Sequence, residues 1–272
     1  MTAPISIASA GSTAVGARRR LNEDAYLAAA PLFMVADGMG GHDAGEVASA
    51  TVIEHFSRLV GRESVSIDEV NAALADAREA VAMLSQHGGT SAGTTLSGVF
   101  IASVDGLGYW LVVNIGDSRT YQFVNGELEQ ITVDHSYVQE LIDEGELTPE
   151  QAITDPRRNI ITRAIGAGSV GEADYWLFPA ERGDRMLICS DGLTTELTDD
   201  RIAEVLAAEA DPHRAADILT AEAVRAGGRD NVTVVVVDAL TVAAARGMHL
   251  RADDEDELAD TRPRAAHDGG MR

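Results

Sequence analysis

The sequence predicts an α+β fold: a β-sandwich of two antiparallel sheets flanked by helices on both sides, in α-β-β-α layers. Three observations carry that expectation. Strand-like and helix-like hydrophobic periods come in blocks, without the regular alternation that a doubly wound parallel sheet requires. The apolar runs 33–36, 186–189 and 232–237 are short and nearly uninterrupted, as buried strands are. Asn125-Gly126 closes the strand-like segment 120–124 with the residue pair of a two-residue hairpin, so its neighbour runs antiparallel.

Along the chain, residues 33–36 form a strand that stops abruptly at Asp37-Gly38. Residues 44–60 have helical spacing in Val47, Thr51, Phe56, Leu59 and Val60. A second helix covers 67–85, with Ser66 and Glu69 placed as a capping box. Segments 94–103, 109–115 and 120–124 read as strands. A helix is expected over 136–145, and Thr148-Pro149-Glu150 restarts one. The strand 186–189 is followed by helices over 199–209 and 212–226, then by the β-branched strand 232–237. Residues 1–240 show no linker or repeat and make one domain. Residues 241–272 carry the run Asp253-Asp254-Glu255-Asp256-Glu257 and read as an acidic, disordered tail.

The chain has 272 residues, 21 basic against 44 acidic, for a formal net charge of −23. That balance repels polyphosphate backbones and anionic lipid, so no nucleic acid and no membrane insertion is expected. The apolar stretch 232–245 is too short to span a bilayer and is interrupted by Asp238. No secretory signal is visible, and the single Cys189 rules out an internal disulfide framework. A cytoplasmic location is expected.

The most informative pattern is an acidic turn at the edge of an apolar strand. It occurs in Val35-Ala36-Asp37-Gly38, in Val113-Asn114-Ile115-Gly116-Asp117 and in Ile188-Cys189-Ser190-Asp191-Gly192. A fourth turn, Gly227-Gly228-Arg229-Asp230-Asn231, precedes the last strand. Any one of these alone is a common turn pair. Together they place carboxylates at the rim of a core, where charge is rare unless it is paired or coordinates a metal. If the strands converge, close carboxylate pairs repel by on the order of 4 kcal/mol each at moderate effective dielectric. A divalent cation offsets that repulsion, and oxygen-only ligands suit Mg2+ or Mn2+. Arg18-Arg19-Arg20, just before Asn22-Glu23-Asp24, offers guanidinium groups for a bidentate grip on phosphate; the alternative is a solvated charge run.

These motifs, in order, resemble those of the PPM family, the type 2C protein phosphatases. The resemblance rests on Arg19-x-x-Asn22-Glu23-Asp24, Asp37-Gly38-Met39-Gly40-Gly41-His42 and Gly93-Thr94-Thr95. It continues through Asn114-Ile115-Gly116-Asp117-Ser118-Arg119, Asp134-His135-Ser136 and Thr162-Arg163-Ala164-Ile165-Gly166, and ends in Cys189-Ser190-Asp191-Gly192-Leu193 and Asp230-Asn231-Val232-Thr233. It covers about residues 5–240, and Met39 with the compact length looks like the bacterial branch. The resemblance implies a metal-dependent serine/threonine phosphatase with two, and in bacterial members three, Mn2+ or Mg2+ ions. Asp37 would bridge two metals, with the Gly38 carbonyl, Asp191 and Asp230 completing their ligands and Asp117 serving the third. Glu23 and Asp24 would hold metal-bound waters. Arg19 would bind phosphate, with Arg20 as fallback, while a hydroxide between the cations attacks phosphorus directly. Residues 145–166 resemble a mobile flap to which Asn159 contributes. The partners implied are phosphorylated proteins, among them a Ser/Thr kinase. The family's eukaryotic branch has His at position 39; with Met39 there, His42 and His135 are expected to be structural.

Other chemistries meet specific obstacles. A cysteine phosphatase needs Cys-x5-Arg, but Thr195 stands six residues after Cys189. Asp254-Glu255-Asp256 lies in a polar tail and follows no strand, so an aspartyl-phosphate enzyme is not indicated. No Gly-x4-Gly-Lys-Ser/Thr loop is present. The remaining rivals are a signalling module that keeps the fold without turnover, and a hydrolase of small phosphorylated molecules.

Overall fold

A computed structural model of the chain describes residues 3–40, 44–88, 92–169 and 171–243. His42 and nearly all of the expected tail lie outside these residues.

The first part of the chain gives strands β1 (Ile5–Ala14), β2 (Asp24–Ala29) and β3 (Leu32–Met39), then helices α1 (Ala44–Ser57) and α2 (Ile67–Gly88). Strands β4 (Gly93–Thr94), β5 (Leu96–Val104), β6 (Leu107–Ile115), β7 (Arg119–Val124) and β8 (Glu127–Gln130) follow. Helices α3 (Tyr137–Asp143) and α4 (Pro149–Thr154) lead to β9 (Ile165–Gly166), β10 (Asp174–Pro179) and β11 (Arg185–Cys189). The turn α5 (Asp191–Thr194), helices α6 (Asp199–Ala208) and α7 (Pro212–Ala226), and β12 (Val232–Val242) complete the domain.

The strands form two sheets. One runs β1-β12-β11-β7-β8; the other runs β10-β6-β5-β3-β4-β9, with β2 also paired to β3. Every ladder is antiparallel. Alternation along the strands builds three apolar layers. Phe33, Val35, Ile101, Trp110 and Val112 of one sheet meet Met186, Ile188, Val235 and Val237 of the other. The intervening residues Leu32, Met34, Phe100, Leu111 and Val113 face Val52, Phe56, Val70, Leu74 and Val81 of α1 and α2. On the opposite outer side Leu187, Cys189, Val234 and Val236 face Ile202, Val205, Leu219 and Ala223 of α6 and α7. A strand buried on both faces must be apolar at every position, which is why 33–36, 186–189 and 232–237 read as runs instead of alternations.

The expected sandwich with helices on both sides is the observed one. Local signals held as well. Glu69 N–H donates to Ser66 Oγ at 3.2 Å while Ser66 N–H donates to Glu69 at 2.8 Å. Asn125 and Gly126 both have positive φ between Val124 and Glu127, the mirror-image hairpin turn. The sequence did not reveal β1, β2, β8 or β10. In β1 the run Ser-Ala-Gly-Ser-Thr has little hydrophobic contrast, and it pairs with β12 some 220 positions away. The first helix stops at Ser57, three residues before the expected end, and the chain turns through 58–61.

Candidate metal centre

The site grows from β3. Asp37 stands opposite Asp24 of β2 in the antiparallel register, so two carboxylates begin as neighbours on paired strands. The Gly93-Thr94-Thr95 segment fixes the backbone there. Asp37 N–H donates to Thr95 Oγ1 at 3.0 Å, and the Asp37 carbonyl accepts from Thr95 N–H and Thr94 Oγ1, each at 2.9 Å. Glycine at 38 is a steric requirement. A Cβ would lie 2.2 Å from the Gly45 carbonyl oxygen at the start of α1 and 2.5 Å from that of Glu23.

The other sheet delivers Asp191 and Asp230. Asp191 opens α5 directly after β11, and Asp230 precedes β12. Ser190 ties them to β2: its hydroxyl donates to Asp24 Oδ2 at 2.8 Å and accepts from Thr233 N–H at 3.0 Å. Thr233 Oγ1 donates to the same Asp24 oxygen at 2.7 Å. Asp117 lies in the crossover between β6 and β7, after Gly116, whose φ of +107° few residues but glycine adopt. Behind it Arg119 grips Asp134, with Nε to Oδ1 at 2.9 Å and Nη2 to Oδ2 at 2.7 Å.

The arginine cluster reaches the same place. Arg19 Nη2 donates to Asp230 Oδ2 at 2.6 Å, so Arg19 is engaged with a candidate ligand; Arg20 is exposed. Asn231 anchors this stretch. Its Oδ1 accepts from Glu23 N–H at 2.8 Å, and its Nδ2 donates to the carbonyls of Val15 and Leu21, each at 2.9 Å.

The electrostatics match a set of like charges in one place. Burial, then repulsion from Asp24, Asp191, Asp117 and Asp230, pushes Asp37 well above the usual carboxylate range. Burial raises Asp24 to about 7 against the hydrogen bonds from Thr233 and Ser190. Burial and then Asp191 raise Asp117 to about 8. Burial and then Asp230 raise Asp191 to about 6, offset by a hydrogen bond with Asp37. Asp37 and Asp191 are thus coupled, as two carboxyls in close contact are.

A divalent cation fits this donor set. All the donors are oxygens, as Mg2+ and Mn2+ prefer. Asp24 Oδ1 is fully enclosed and has no hydrogen-bond partner among the described residues, an atom in need of positive charge or water. Among the described residues no three His, Cys, Asp or Glu side chains form a ready-made ligand cluster. Arg19 already takes one oxygen of Asp230.

The remaining expected residues are placed as follows. Met39 ends β3 opposite Gly93. His135 is buried, with Nδ1 accepting from Gly116 N–H at 3.1 Å. Asn159 is exposed in the turn after α4. Cys189 is buried in the outer core, where burial pushes its thiol up to about 12, so it stays neutral and unreactive. Sequence reading assigned no role to Ser190, Thr233, Thr95 or Asn231. They lie inside the quoted motifs, but their contacts to Asp37, Asp24 and Glu23 span 58 or more positions and no spacing rule encodes that.

Comparison with known proteins identifies the chain's relatives. A family model described as protein phosphatase 2C matches residues 16–224. The serine/threonine protein phosphatase PstP of Mycobacterium tuberculosis is 42% identical over 231 residues, covering 82% of this chain. The chain spans 43% of that relative's length. The serine/threonine phosphatase stp of Listeria monocytogenes is 35% identical over 76% of this chain and 84% of its own. A crystal structure of the M. tuberculosis PstP superposes with a TM-score of 0.79 at 39% identity, covering 86% of this chain and 99% of that one. Another, of the PstP catalytic domain in complex with two manganese ions, gives 0.78 at 38% identity, covering the same shares of the two chains. On its motifs, its fold and these matches, the chain belongs to the protein phosphatase 2C family.

Proposed function

We propose that this protein hydrolyses phosphoserine and phosphothreonine in phosphorylated proteins, with Mn2+ or Mg2+ as cofactor. The observation that supports it best is the set of acidic turns, Asp37 from one sheet and Asp191 and Asp230 from the other, near enough for their charges to raise Asp37. Asp37, the Gly38 carbonyl, Asp191 and Asp230 would hold two cations, and Asp117 a third. When bound, the cations supply an activated water and neutralise charge on the transferring phosphoryl group.

The chain's own residues do the positioning. Asp24, fixed by Ser190 and Thr233 through Oδ2, leaves Oδ1 without a hydrogen-bond partner among the described residues and would offer it to a metal-bound water. Glu23, whose backbone is held by Asn231, would orient water there. Arg19 would exchange Asp230 for the non-bridging phosphoryl oxygens, a charge-assisted contact that strengthens through the transition state. Met39 has no proton to give the leaving oxygen, so solvent at the site would supply it.

Relatives named as protein phosphatases favour proteins as substrates, and a Ser/Thr kinase is the partner we expect. No helix among the described residues is long and apolar enough to cross a membrane. With a lone buried thiol, a cytoplasmic setting is our reading. The test is Mn2+-dependent hydrolysis of a phosphothreonine peptide, with EDTA as control. Asp37→Ala and Asp191→Ala are each expected to lower turnover by at least about a thousandfold, on the order of 4 kcal/mol in the barrier. Activity retained in either variant, or in EDTA, would discard the scheme.

A further inference from the structure

His135 contacts none of the residues given a catalytic role, yet it is buried and every polar atom it carries is engaged. Its backbone and ring both hold Gly116, the residue before Asp117. His135 N–H donates to the Gly116 carbonyl at 2.9 Å, and Gly116 N–H donates to His135 Nδ1 at 3.1 Å. Asn114 Nδ2 gives that carbonyl a second bond at 3.1 Å. An amide N–H can only donate, so Nδ1 presents its lone pair and the ring proton sits on Nε2. Nε2 faces Asp174 Oδ2 at 3.0 Å, and Arg163 Nη1 donates to the other oxygen, Oδ1, at 3.1 Å. The 3.3 Å approach of Arg163 Nη1 to Nε2 sets donor against donor and contributes no hydrogen bond. The His135 carbonyl accepts from Thr162 N–H at 2.8 Å, and Ser136 bridges to Ile161. The imidazole therefore joins the Asp117 turn to Asp174, while the His135 carbonyl and Ser136 tie the same segment to residues 161 and 162.

We infer that His135 is a positioning residue: by clamping Gly116 it fixes the direction in which the Asp117 carboxylate is presented, with Asp174 setting the ring tautomer that makes the clamp possible. The inference rests on Asp117 holding a cation, as proposed above. Partners one bond removed from a metal ligand commonly change metal affinity by 10–100-fold when lost. A packing role predicts something different, since any side chain of similar volume would then serve.

The test is Mn2+ binding to the purified full chain by equilibrium dialysis, with melting temperature as the second readout. Asp117→Asn is expected to lose the weakest Mn2+ equivalent. His135→Gln, whose amide reaches the Nε2 position and leaves Gly116 N–H unpaired, is expected to weaken that equivalent about tenfold and leave the tighter pair unchanged. His135→Asn, whose oxygen can replace Nδ1, is expected to bind Mn2+ within about twofold of wild type. Asp174→Ala, at a partly exposed position and therefore tolerated in folding, is expected to weaken the same equivalent about three- to tenfold.

Wild-type binding by His135→Gln, or equal losses in the Gln and Asn variants, would overturn the inference. Should His135→Gln fail to fold, unchanged binding by Asp174→Ala overturns it. If Asp117→Asn keeps every Mn2+ equivalent, the Asp117 ligand itself is wrong and the inference falls with it.

Discussion

Arg19 and Arg20 are both exposed, and of the two it is Arg19 whose guanidinium donates to Asp230, at 2.6 Å. That difference favours Arg19, of three consecutive arginines, as the one proposed to meet the phosphoryl group. Arg19→Ala is expected to raise KM for a phosphopeptide by about ten- to a hundredfold, the 1.5–3 kcal/mol of a charged hydrogen bond. Arg20→Ala should stay within about twofold; steady-state kinetics on both variants checks this, and the reverse outcome moves the role to Arg20. Single residues differ in how legible they were. Asp37, Asp191 and Asp230 stand beside glycine or asparagine at strand ends, a pattern local enough to read in one dimension. Ser190 and Thr233 share one oxygen of Asp24 from 166 and 209 positions away, and no local pattern encodes such a contact.

Among the elements, the loop between β1 and β2 depends on one side chain. Asn231, just before β12, makes three hydrogen bonds to that loop, through Glu23 N–H and the Val15 and Leu21 carbonyls. Asn231→Ala leaves those backbone groups without their partner. At about 1 kcal/mol each, with the desolvation of any group left unpaired, the loss should be about 2–4 kcal/mol in a urea titration of the metal-free protein. Activity should fall with it, because Arg19 and Glu23 sit on the freed loop; an unaltered midpoint would contradict this. Elements buried on both faces, β3, β11 and β12, were legible because burial leaves only apolar residues in a run. Strands β1 and β2 were not, since β1 carries Ser, Ala and Gly and both are only partly buried. Gly11 in β1 has its own reason, for a Cβ there would press on the Tyr26 ring of β2.

For the whole molecule, the shared feature of the site is protons held where the unfolded chain would hold none. Without metal, Asp24, Asp117 and Asp191 are raised to about 7, about 8 and about 6, and Asp37 further above its ordinary value. Folded pKa values above unfolded ones mean the native state binds more protons between about pH 4 and 8, so unfolding free energy falls as pH rises through that window. In EDTA the chain is expected to melt at a higher temperature near pH 5.5 than near pH 8. Saturating Mn2+ should reverse the order, because a cation that displaces those protons binds more tightly as they leave. Thermal melts at several pH values, with and without Mn2+, check both signs. The sandwich itself adds a mechanical consequence. Its two sheets belong to separate hydrogen-bonded ladders, and the acidic turns approach the site from both. An ion seated there would be a rivet between two plates that otherwise meet through an apolar layer and a few side-chain hydrogen bonds, such as those of Ser190 and Thr233 to Asp24. Demetallation would then leave the plates free to slip, most of all at the end where catalysis must occur.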